Sequence, residues 1–72
     1  MRRAKLNALR ARYEAEIAEA DATANIYLSN SVGIGEHPQH IEEVDKLMEK
    51  IANAKEKIDV LEEFEPERGE VL

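Results

Sequence analysis

An all-α fold, a two-helix antiparallel hairpin assembled with a second copy into a four-helix bundle, is predicted by three features of this 72-residue chain. Two long stretches of helical periodicity flank one short break. The break, Val32-Gly33-Ile34-Gly35-Glu36-His37-Pro38, holds two of the three glycines and one of the two prolines. The charges of the two stretches are complementary when the chain is folded back at that break.

The first helix is expected over about residues 3–31, which are rich in Ala and free of Gly and Pro. Leu6, Leu9, Tyr13, Ile17, Tyr27 and Leu28, with Ala20 and Ala24 filling the gap, fall on one stripe at 100° per residue. A second stripe, Ala4, Ala8, Ala11, Ala15, Ala18 and Ala22, lies roughly opposite, stepping by four and three. One account is a solvated face filled with a good helix former. The other is that a helix with two opposite non-polar faces touches two neighbours, which makes the Ala stripe the expected oligomer interface. Small side chains there would let a second helix approach to the short end of the ~8–10 Å interaxial range.

The turn is assigned to 32–37. Gly33 is the proposed helix stop, since Gly just past a helix can take the left-handed conformation. Gly35 belongs to the same turn, His37 sits at the cap, and Pro38 restarts the helix, where its fixed φ suits the first turn. The second helix then runs over about 38–64. Val44, Ile51 and Ile58 recur every seven residues, each followed after three by Leu47, Ala54 or Leu61. Ile41 and Met48 widen this seam, as in a bundle helix rather than a two-stranded zipper. The domain is thus 1–64, with 65–72 a flexible acidic tail containing Pro66 and Gly69.

At 1.5 Å per residue the two helices are about 43 and 40 Å long, so they can lie side by side throughout. Folded at the turn, residues whose numbers sum to about 69 should face each other. That places Glu14 by Lys55, Glu19 by Lys50 and Arg10 by Asp59, and it sets basic Arg2, Arg3 and Lys5 beside acidic Glu62, Glu63 and Glu65. Each of those helix ends has the wrong sign for its own macrodipole, and the antiparallel neighbour supplies the right one. Two helices cannot enclose a seam, which is the argument for a dimer of hairpins.

Composition narrows the function classes. The chain has no Cys, so disulfide frameworks and thiolate metal sites are excluded. No apolar run is long enough for a signal peptide or a membrane span, so a soluble, cytoplasmic protein with no membrane partner is expected. The net charge of −6 argues against nucleic acid as the partner of the whole surface. A local exception is the run Arg2, Arg3, Lys5, Arg10 and Arg12, which has no acid among the first thirteen residues. It carries the alternative reading, a nucleic-acid-associated accessory factor, although no aromatic residues interleave it and the acidic end of the second helix is expected beside it.

No catalytic residue, cofactor site or metal site is assigned. His37 and His40, near Glu36 and Glu43, are the one group of metal-ligand types, but no third ligand is fixed by spacing. The plainer reading makes His37 a cap and His40 a first-turn surface residue. Paired carboxylates are plentiful, yet acid–base catalysis needs a concave, partly dry site that a hairpin of this size does not offer.

The run from Asn30 to Pro38, followed by Ile41-Glu42-Glu43-Val44-Asp45-Lys46-Leu47, resembles a segment of short uncharacterised helical proteins of T-even-like tailed phages, including those of marine cyanobacteria. Those relatives commonly carry Asn-Pro-Val where this chain has Asn30-Ser31-Val32, a departure that lets the first helix run slightly further. The resemblance implies a viral origin, hence the host cytoplasm, and a helical hairpin. It carries no catalytic residues over. The expected function is a small non-enzymatic protein–protein interaction module that self-associates and binds a protein partner whose identity is unknown.

Overall fold

Two helices, α1 (Arg2–Ser29) and α2 (Gln39–Glu62), pack against each other, and the described residues contain no strand. The computed structural model describes residues 1–29 and 39–65. The molecule is a rod with extents of 52 × 17 × 17 Å. The predicted turn residues Gly33, Gly35, His37 and Pro38 lie outside the described residues, as does 66–72 of the predicted tail.

The α1 seam is Leu6, Arg10, Tyr13, Ile17, Ala20, Ala24 and Tyr27, each buried or half-buried, with steps alternating between four and three. That of α2 is His40, Val44, Leu47, Ile51, Ala54, Ile58, Leu61 and Glu65, with the same alternation. This is the 3.5-residue repeat of helices that pack along their length. The heptad predicted for α2 from Val44 to Leu61 therefore lies on the seam, as do Ala20 and Ala24 of α1.

Four apolar predictions differ. Leu9, Leu28, Ile41 and Met48 are exposed, because a lone two-helix pair covers only the narrow a/d strip and these side chains stand to one side of it. Leu9 is displaced about 60° from Leu6 by the helical repeat, and Arg10 takes the seam position instead.

The ends of the helices follow from local chemistry. Lys5 N–H donates to the Met1 carbonyl at 3.1 Å, closing the first turn of α1 without a side-chain cap. Near its C-terminal end, Asn25 Nδ2 donates to the Asp21 carbonyl at 2.9 Å and Ser29 Oγ to the Asn25 carbonyl at 2.7 Å. The second helix stops at Glu62, earlier than the predicted Phe64. Its end tightens into three-residue bonds from Glu63, Phe64 and Glu65 N–H to the carbonyls of Val60, Leu61 and Glu62. Pro66 explains the stop, since the residue before a proline is disfavoured in the α region. Glu65, expected in the loose tail, is instead buried at 6 % exposure.

Candidate interaction surface

At the end of the rod far from residues 30–38, charged groups lock the two helices together. Arg10 Nη2 donates to Glu65 Oε1 at 2.7 Å and to Glu62 Oε2 at 3.4 Å. Arg2 Nη2 donates to the Phe64 carbonyl at 2.6 Å. A cation from the start of α1 thus caps the end of α2, where the carbonyls have lost their helical partners and the dipole favours positive charge. The Glu65 hydrogen bond is the main cause that raises the Arg10 pKa above its usual value; burial opposes it, and Glu62 adds to it. The expected pairing of Arg10 with Asp59 is replaced by pairing further along α2. Side chains on a helix lean toward its N-terminus, so in an antiparallel pair contacts are displaced from the backbone register. For the same reason Glu14 meets Arg10 of its own helix at 3.8 Å rather than Lys55, and among the described residues no ion pair joins Glu19 to Lys50.

Beside this lock is a groove of about 440 Å³, lined by Leu6, Leu9 and Tyr13 of α1 and by Glu56, Lys57, Val60, Leu61 and Phe64 from α2 and its terminal turn. Leu9 is 37 % exposed, Val60 48 % and Phe64 51 %. Because Arg2 holds the Phe64 carbonyl, the lock also fixes one wall of the groove. Lys57 Nζ lies 5.6 Å from the centre of the Tyr13 ring, a cation–π contact that keeps its aliphatic stem along the groove. Toward the turn the same face continues as a charged depression of about 300 Å³ lined by Glu16, Lys46, Glu49, Lys50, Asn53, Ala54 and Lys57. Lys57 lines both parts, so they form one surface, apolar at one end and of mixed charge beyond.

The predicted interface residues Ala4, Ala8, Ala11, Ala15, Ala18 and Ala22 are all exposed, on the face of α1 turned from α2. Ile26, four residues after Ala22 and 65 % exposed, extends that stripe. The apolar groove was missed by sequence reasoning, which placed Leu9 inside the seam and gave Val60 no role. Its signal was the presence of Val60 on α2 and Phe64 just past its end, both outside the heptad positions.

His40 stands at a seam position and not on the surface: its ring meets Tyr27 edge-to-face, with centroids 5.1 Å apart and planes at 84°. Glu43 lies 3.7 Å from Lys46. His37 and Glu36 lie outside the described residues, and no group of three or more metal-ligand side chains comes together among those described. In the basic run, Arg2 and Arg10 are committed to the end of α2, which weakens it as a phosphate-binding tract. No described helix is long and apolar enough to cross a membrane. No protein-family model, curated protein or solved structure matches the chain, so the surface itself is the ground for a functional reading.

Proposed function

We infer that the chain is a small non-enzymatic protein–protein interaction module, of the kind its turn motif resembles in tailed phages, which self-associates through its helical faces. The observation that carries this reading is the thin interior of a single hairpin. Its buried apolar residues among those described are Ala20, Ala24, Ala54 and Leu61, and no large side chain there is fully buried. The seam residues Ile17, Val44, Leu47, Ile51 and Ile58 are only partly buried and still have some apolar surface to cover.

Two surfaces are available for that association, the Ala stripe and the apolar groove. Sedimentation over a concentration series from about 1 to 100 µM tests the reading, since an associating hairpin gains mass and stability with concentration. A monomer that melts cooperatively throughout would refute it. The double variant Ala11→Glu, Ala18→Glu then distinguishes the surfaces. It dissociates the oligomer if the stripe is the interface, and is nearly silent if that face meets water, because Glu is almost as good a helix former as Ala.

A further inference from the structure

The geometry points to the groove face as the seat of a second copy of this chain, lying parallel to the first with the two-fold axis along the rod. This rests on the self-associating reading above and adds the face and the direction. Three observations support it. Both helices contribute to the groove face, so an occupant there covers the partly buried seam from the side, whereas the Ala stripe belongs to α1 alone. The rod is 52 Å long and 17 Å across, so a copy seated on this face can run alongside both helices instead of touching one local patch. The face is also segmented, apolar at Leu9, Val60 and Phe64 and charged from Lys57 to Lys46.

The segmentation sets the direction. A parallel copy puts apolar end on apolar end. In the charged stretch, Glu16 lies on α1, and Lys46, Glu49, Lys50 and Lys57 lie on α2 of the same depression, so a half-turn about the rod axis brings Glu16 of each copy toward a stretch of the other in which lysines outnumber the acid. An antiparallel copy, related by a half-turn about an axis across the rod, would lay each helix on its own counterpart, so that the mid-rod Glu16 faces Glu16 and the lysines face lysines.

Because the chain has no Cys, single-Cys variants can be spin-labelled cleanly at the exposed positions Asn7 (Asn7→Cys) and Ser29 (Ser29→Cys), near opposite ends of the rod. Pulsed dipolar spectroscopy on each variant and on their mixture gives three distances. In the parallel pair the like-labelled distances are shorter than the unlike one. Antiparallel seating reverses that order, and end-to-end overlap shortens the Asn7 distance alone; either result overturns the proposal while leaving self-association intact. Val60→Glu should raise the dimer dissociation constant at least about 100-fold, with Ala11→Glu, Ala18→Glu leaving it unchanged. An unchanged dimer in Val60→Glu also overturns the proposed seat, whereas a monomeric wild type overturns the reading on which it rests.

Discussion

The two ends of the hairpin are held by different means. At the turn end, Tyr27 packs edge-on against His40, and Ala20 and Ala24 are buried on the neighbouring turns of α1. At the open end, Arg2 and Arg10 reach across to the Phe64 carbonyl, Glu62 and Glu65. At the turn end the chain itself joins the helices through residues 30–38, and linking two ends by so few residues costs little closure entropy, so small side chains and close approach suffice. The open end has no such tie. There the helices must select each other's position, and directional charged bonds discriminate between registers in a way that apolar contacts do not.

The largest predicted effect breaks the open end from the apolar side. Leu61 is its one buried large apolar residue among those described, and Leu61→Ala should destabilise the protein by about 2–4 kcal/mol in urea unfolding at fixed protein concentration. If the loss is below about 1 kcal/mol, the open end relaxes freely and the contrast between the ends fails.

At the turn end the mutation runs the other way. Ala24→Leu should cost about 1–3 kcal/mol by overpacking, because Ala24 is 3 % exposed and faces the other helix closely. A neutral or stabilising result would mean that the turn end holds a void and not a close contact.

The smallest effect sharpens the role of the ionic lock. Glu65→Leu alone leaves Arg10 on the seam without its shortest partner and should lower the melting temperature, as should Arg10→Leu by leaving Glu65 buried. The double variant should melt at or above the wild type, since buried ion pairs are often replaceable by apolar pairs. It should also admit more than one helix register, seen as extra or broadened amide resonances near Leu6 and Leu61. A double variant that keeps one sharp set of resonances would show that the lock does not select register.

Much of this was legible in the sequence. The helices and the α2 seam follow from periodicity, and their antiparallel pairing, with the basic start near the acidic end, follows from the Gly- and Pro-containing break and from charge. Arg10 and Glu65 were not legible as seam residues, because a search for apolar recurrence passes over a charged residue even when it sits at the right step. Leu9 was misplaced for a related reason. An apolar stripe wide enough for a bundle reads as one face, and only the packed pair reveals which part α2 covers and which part it leaves outward.

The alanine-rich interior has a calorimetric consequence. The heat-capacity change of unfolding scales with the apolar surface exposed, at about 12–15 cal/mol/K per residue in ordinary globular proteins. A hairpin whose buried apolar residues, among those described, are three alanines and Leu61 should fall below that range as a single chain, with a flat stability curve and a broad, shallow melt. Covering the groove would bring Leu9, Val60 and Phe64 out of water and move the heat-capacity increment toward the globular value.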